Sequence, residues 1–334
     1  MRALQLDATH QPAAVREIPT PQPAAGEVLV RLHAAALNHR DVWIQLGQYA
    51  GIKLPCTLGA DGSGEIVALG AGVTDLEIGA PVIIYPGVEW GDEQRAQGRS
   101  FRVLGMPDPG TFAEYSVVPA HYVRPRPAHL SWEQAAALPL AGLTAYRAAF
   151  KRAQVQLGER VLVTGVGGGV AQVAAQFCAA RGAEVWVTSG DDDKLARALA
   201  LPLGLRGGIN YKTENWGRTL TKQAGGSFDV IIDSAAGASF DTLLDVAAPG
   251  GRIVFFGATL GNVPQLPTAK VFWKQLSILG SSMGSEQDFD DMLALVNEHQ
   301  LVPVVDKVFP LAEGEAALRY LEAGQQLGKV VLTC

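Results

Sequence analysis

The stretch Arg160-Val-Leu-Val-Thr-Gly-Val-Gly-Gly-Gly-Val-Ala-Gln-Val-Ala-Ala-Gln-Phe-Cys178 decides how the rest of the chain is read. Val161 to Thr164 is a short apolar, β-branched run, which suits a strand buried on both faces. Gly165 to Gly169 turns the chain, and Val170, Val173, Ala174 and Phe177 then recur at helical spacing. A strand, a glycine turn and a helix start together make an anion site, because free backbone N–H groups and the helix dipole both favour negative charge. The pattern Gly165-x-x-Gly168-x-x-Ala171 by itself also suits an ordinary tight turn. The residues beyond the turn argue for more. Glu184-Val-Trp-Val-Thr188 stands where a βαβ unit needs its second strand, and Asp229–Asp233, Gly251–Gly257 and Ser277–Gly280 continue the alternation. The expectation is a doubly wound parallel sheet that holds a dinucleotide.

Composition narrows the function classes. At 334 residues the chain is long enough for two domains, and 48% hydrophobic residues supply large cores. The net charge of −6, without a basic block, argues against nucleic acid as a partner. No apolar run approaches the roughly 20 residues of a membrane span. Met1-Arg-Ala-Leu-Gln-Leu-Asp7 is strand-like and lacks a signal-peptide apolar region, so the expected location is the cytoplasm. Cys56, Cys178 and Cys334 are too scattered for a cysteine-rich zinc site.

The first 120 or so residues differ in texture. Short strands are expected at Val28–His33, Gly64–Leu69, Pro81–Tyr85 and Phe112–Val118, punctuated by Gly and Pro, as in an all-β barrel. Within this region Asn38-His-Arg-Asp41-Val-Trp43 looks like a helix start, with Asn38 as its cap or, alternatively, as a cleft residue that hydrogen-bonds a carbonyl together with Tyr49.

Asn38-x-x-Asp41, Leu58-Gly-Ala-Asp-Gly-Ser-Gly-Glu-Ile-Val67, Gly110-Thr-Phe-Ala-Glu114, Leu138-Pro139, Gly142-Leu-Thr144-Ala-Tyr146 and the glycine turn occur in one order along nearly the whole chain. In this the sequence resembles the medium-chain dehydrogenase/reductase superfamily, and within it the zinc-free quinone oxidoreductase-like members. The resemblance implies a GroES-like, β-rich catalytic domain over residues 1–124 and 284–334, split by a Rossmann domain over 125–283. It also implies departures from zinc alcohol dehydrogenases. Where those carry Gly-His-Glu, this chain has Gly59-Ala60-Asp61, and their catalytic cysteine ligand falls near Asn38. The stretch that matches their structural zinc lobe, Trp90 to Phe101, has no cysteine. No metal is therefore expected.

The glycine turn itself offers cofactor contacts at Gly165, Gly168, Gly169 and Val170, and small residues from Ser234 either permit close approach of a cofactor or form a simple turn; the resemblance implies further contacts at Thr144, Tyr211, Phe256, Gly257, Ala258 and Lys329. Lys329 also reads as an ordinary solvated lysine at a strand end. At the tip of the second strand the neutral Ser189, with Lys194 nearby, favours NADPH over the NAD alternative, since NAD enzymes usually place an acid there. Asp191 either takes the ribose or merely caps the next helix. Trp43, Trp90 and Met283 are candidate pocket walls. Phe272 to Gly280 reads as an unusually apolar edge strand, which invites pairing with a second copy of the chain and so a homodimer. Two functions fit: an NADPH-dependent, zinc-independent reductase of a quinone, enone or related small carbonyl compound, and a non-catalytic dinucleotide-binding protein such as a redox sensor. An NAD-linked alcohol or aldehyde oxidoreductase is the nearest variant of the first.

Overall fold

The computed structural model describes all 334 residues, Met1–Cys334, as two compact units. The first comprises Met1–Ala141 and Gly284–Cys334, the second Gly142–Met283. The first crossing therefore lies at residues 141/142 and not at 124/125 as expected. The reason is local: the helix Trp132–Ala136 belongs with the strands of the first unit, and the Ser63 hydroxyl donates to its Trp132 carbonyl at 2.6 Å.

Along the chain, the first unit supplies β1 (Arg2–Leu6), β2 (Ala14–Glu17), β3 (Glu27–Ala36), α1 (His39–Gln45), β4 (Cys56–Thr57), β5 (Asp61–Leu69), β6 (Pro81–Ile84), β7 (Gly87–Val88), β8 (Arg102–Val103), β9 (Tyr115–Pro119), β10 (Val123–Pro125) and α2 (Trp132–Ala136). The chain passes through α3 (Pro139–Tyr146), which continues as a π-helix over Arg147–Arg152. Pro139 starts this helix, where its missing N–H costs nothing. The second unit then adds β11 (Arg160–Val163), α4 (Gly169–Ala180), β12 (Glu184–Ser189), α5 (Asp192–Ala200), β13 (Leu205–Asn210), α6 (Trp216–Gln223), β14 (Phe228–Asp233), α7 (Phe240–Val246), β15 (Ala247–Phe255), α8 (Thr268–Trp273) and β16 (Ser277–Gly280). The chain returns to the first unit with α9 (Glu286–His299), β17 (Val305–Pro310), α10 (Gly314–Glu322) and β18 (Lys329–Thr333).

In the first unit a seven-stranded sheet runs β10-β6-β5-β3-β18-β17, with β9 also paired to β3. Its register positions the site. Ala36 on β3 faces Asp61 on β5 and Val331 on β18. The Leu37 N–H continues the ladder to the Val330 carbonyl at 2.9 Å. One step further, Asn38 lies level with Lys329. Three strands far apart in sequence thus bring Asn38, Asp61 and Lys329 to one end of the sheet. Gly59 permits this just before β5. It has φ +98°, and a Cβ there would lie 2.3 Å from the Phe112 ring.

In the second unit six parallel strands run β13-β12-β11-β14-β15-β16. The order reverses between β11 and β14, and the crevice beyond the carboxyl ends of these two strands is where such sheets bind ligands. Phe228, Ile231, Phe240, Leu243 and Leu244 form the core on one face. The edge differs from expectation. Phe272 and Trp273 lie on α8, and only Ser277–Gly280 pairs as a strand. Both aromatic side chains are exposed, at 67% and 83%.

Candidate functional site

The residues expected to bind a dinucleotide are grouped around the turn after β11. Gly165 has φ +69°, a conformation that suits glycine, and its N–H donates to the Thr188 hydroxyl at 3.2 Å. Gly168 is the N-cap of α4, whose first two residues are Gly169 and Val170. A Cβ at Gly168 would meet only the Gly165 carbonyl, at 3.6 Å. The space over the turn is open, so these residues fit a pyrophosphate at the helix start.

At the tip of β12, Ser189 is buried, and its hydroxyl accepts from the Asp191 N–H at 3.2 Å. Tyr211 lies against the same tip. Its N–H donates to the Ser189 carbonyl, and a Cβ at Gly190 would fall 2.4 Å from its hydroxyl. Asp191 resolves into the helix cap: its carboxylate accepts from the Lys194 N–H at 2.8 Å at the start of α5.

The loops after β14 and β15 close the other side of the crevice. Asp233 is buried, and its two oxygens accept from the Thr164 hydroxyl at 2.6 Å and the Ala236 N–H at 2.7 Å. Burial raises its pKa, and these hydrogen bonds oppose the rise. They hold Ala236 at φ 52°, ψ −128°, a strained geometry for an L-residue that costs on the order of 1–3 kcal/mol. Gly257 packs so that a Cβ would lie 2.8 Å from the Ser234 carbonyl, and the Leu260 N–H donates to the Ala235 carbonyl at 3.0 Å. Ser234, Phe256, Gly257 and Ala258 thus share one wall with the glycine turn. Thr144 is buried on α3, and Met283 is buried with φ 48°. The Asp233–Thr164 link was not legible in the sequence, where Asp233 marked only a strand end.

A second group of candidate residues lies in the first unit. Asn38 occupies the N-cap of α1. Its Nδ2 donates to Asp61 Oδ2 at 2.9 Å, and its Oδ1 accepts from Lys329 Nζ at 2.7 Å. Lys329 also donates to Asp61 Oδ2 at 3.0 Å. The expected solvated lysine is therefore a buried one, because the register of β3 and β18 carries it against Asn38. The expected substrate-facing Asn38 amide is likewise spent within the protein. Asp61 Oδ1 accepts from the Leu140 N–H at 2.7 Å.

Behind this cluster Arg40 is buried and donates to the Leu104 carbonyl at 2.7 Å, with the Tyr49 ring over its guanidinium. Tyr49 is half-buried, and its hydroxyl lies 3.5 Å from Arg40 Nε. Asp41 accepts from the Asn38 N–H at 2.8 Å. Burial pushes its pKa up to about 6 against the pull of Arg40. His39 keeps an exposed face, yet desolvation and the Lys329 charge hold its imidazole below the usual value. Trp43 tilts against His39 at 6.1 Å. Trp90 is not a free pocket wall, since it is buried in its own loop, donates to the Glu93 carbonyl at 3.0 Å and packs edge-on against Phe101. No group of three or more His, Cys, Asp or Glu is placed to hold a metal ion.

Residues 24–128 match the alcohol dehydrogenase GroES-like domain, and residues 169–298 match the zinc-binding dehydrogenase family. The zinc-type alcohol dehydrogenase-like protein YogA of Leptosphaeria maculans is 33% identical over 97% of this chain and 95% of its own length. The chain belongs to the medium-chain dehydrogenase/reductase superfamily. A crystal structure of an NAD-dependent alcohol dehydrogenase superposes with a TM-score of 0.94 at 40% identity over all of both chains. The chloroplastic quinone-oxidoreductase homolog of Spinacia oleracea is 29% identical over 95% of this chain and 92% of its own length. The protein is an oxidoreductase of this superfamily, with a nicotinamide dinucleotide as its expected cofactor.

Two outcomes test this geometry. Gly168→Val fills the open space over the turn without a clash, so the fold should survive while dinucleotide affinity collapses in a fluorescence titration. For Asp41, the folded pKa exceeds the unfolded one, so the folded state binds more protons between pH 4 and 6. Its contribution to stability therefore falls as pH rises through that window and is flat above it. Asp41→Asn keeps an acceptor for the Asn38 N–H and removes this loss. Its Tm relative to the parent should climb from pH 4 to pH 6 and level off above that window; a Tm difference that is flat between pH 4 and pH 8 would count against the raised pKa.

Proposed function

We propose that the protein is a zinc-independent, NADPH-dependent reductase of quinones, enones or related small carbonyl compounds, acting in the cytoplasm. The observation that supports the metal-independent part is the Asn38–Asp61–Lys329 cluster, in which an amide stands at a position matched to a zinc ligand and a lysine fills the space beside it. Zinc binds imidazole, thiolate and carboxylate. Here Asp61 is the sole such group in the cluster, and both its oxygens are hydrogen-bonded.

When bound, the reduced dinucleotide supplies the hydride. The chain's own residues bind, orient and stabilise charge. The glycine turn and the start of α4 receive the pyrophosphate, and the loop held by Asp233 forms a rigid wall. Without a Lewis acid, a conjugated acceptor suits the site, because negative charge spreads over several atoms as it develops. With the Asn38 amide committed, Tyr49 is the donor left to hydrogen-bond the substrate oxygen. The neutral His39 is a second donor, and solvent completes the protonation.

The NADPH preference rests on Asp191. Its carboxylate caps α5, which leaves the neutral Ser189 at the tip of β12. The NAD-dependent solved relative is the reason to measure both cofactors. A homodimer is proposed through β16, the outer strand of its sheet, beside the exposed Phe272 and Trp273.

Chelator treatment should leave NADPH oxidation with a quinone intact. Zinc at one equivalent, lost together with activity, would overturn the reading. Lys194→Ala should weaken NADPH roughly 5- to 30-fold, since a partly exposed lysine contact to a phosphate is typically worth about 1–2 kcal/mol. NADH should hardly change. High salt should imitate the mutation in part, because screening weakens a contact near the surface. Ser189→Asp should act in the same direction by setting a like charge against the phosphate. Equal kcat/KM losses for both cofactors in these variants would remove the NADPH assignment.

A further inference from the structure

The zinc-type relatives and the residues of this chain disagree, and the disagreement has a structure. At the positions that the family resemblance matches to metal ligands, the chain carries the amide of Asn38 and the methyl group of Ala60. What meets there is a closed triangle. Lys329 Nζ lies 2.7 Å from Asn38 Oδ1 and 3.0 Å from Asp61 Oδ2, and Asn38 Nδ2 lies 2.9 Å from the same Asp61 oxygen. The side chains of Lys329 and Asp61 are 5% and 0% exposed. The remaining acceptors of Asp61 are also used, Oδ1 by the Leu140 N–H and the backbone carbonyl by the Thr111 hydroxyl.

We propose that the Lys329 ammonium is the resident cation of this site: it takes the place of a catalytic metal, holds Asn38 and Asp61 in position and keeps divalent zinc out. This rests on the zinc-independent reading and deepens it. A metal ligated by side chains cross-links the segments that carry them. Lys329 does the same from β18, tying the β3–α1 junction to the start of β5, and through Asp61 to the start of α3. It also compensates the buried Asp61 charge, which would be costly alone. An incoming zinc ion would meet a like charge in a site of low dielectric, where repulsion is strong. Lys329 is thus a positioning residue. Through Asn38 it sets where α1 begins, and so where His39 and Tyr49 stand.

The test adds the missing ligands with and without the lysine. Zinc stoichiometry and chelator-competed affinity are measured on the parent, on N38C/A60H and on N38C/A60H/K329M, each first checked for folding by circular dichroism. With a thiolate introduced at position 38, an imidazole at position 60 and the native Asp61 as three ligands, the triple variant should take up one zinc per chain, and its Tm should rise when zinc is added. The double variant, which keeps Lys329, should bind at least about tenfold more weakly, a difference of about 1.4 kcal/mol. Equal zinc affinity of the two variants, or no uptake by a folded triple variant, overturns the proposal while the zinc-independent reading stands. One tightly held zinc in the parent overturns both. Should the triple variant fail to fold, D61N/K329M carries the test, since it removes both charges at little change in volume. It should lower kcat about tenfold by displacing the residues that Asn38 positions, with the dinucleotide KM within about twofold. Unchanged kcat in that variant, with the fold intact, overturns the positioning role.

Discussion

A carboxylate with no exposure to water must find its partners inside the protein, and Asp61 is such a carboxylate. Its needs organise the first unit. Lys329 arrives from the last strand, Asn38 from the end of β3, and the Leu140 N–H from the start of α3. The seven-stranded sheet could pair its strands in another register and still bury apolar side chains. It could not then pair this charge. A one-residue slip of β18 would turn Lys329 to the opposite face and leave Asp61 uncompensated. The ion pair therefore acts as a register lock, and it explains why the C-terminal segment is integral to a domain whose other strands come from the first 141 residues.

The second unit obeys a different constraint, open space beside the backbone at the turn after β11. Gly165 and Gly168 leave open space, and the strained Ala236 is the counterpart of that openness. A loop at the switch point is kept in an unfavourable backbone conformation by Asp233 and Thr164, from the ends of two adjacent strands. Strain held by buried hydrogen bonds gives a wall that does not need to reorganise when a ligand arrives.

Individual residues show where pattern reading stops. Asn38 stood at a helix start in the sequence and does occupy the N-cap, but its side chain is taken by charges 23 and 291 residues away. Trp90 has the composition of a pocket wall and instead closes its own loop. Phe272 and Trp273 continue an apolar run into β16, yet they turn as a helix before the strand begins. In each case the local pattern was compatible with two structures, and contacts distant in sequence chose between them.

The sequence by itself determined the dinucleotide-binding unit. Strand, glycine turn and helix are local features, governed by β-propensity, the missing Cβ of glycine and helical periodicity, so the β11–α4 unit and the strand alternation were legible within short windows. It also placed an amide, Asn38, and a methyl group, Ala60, where the family resemblance sets zinc ligands, because that is a matter of residue type. What occupies their place was decided only by tertiary structure. Asn38, Asp61 and Lys329 sit in separate segments, and no periodicity records which of them face one another. Only the pairing of β3 with β5 and β18 brings an amide, a carboxylate and an ammonium within hydrogen-bonding distance, and so converts three ordinary polar residues into one buried site.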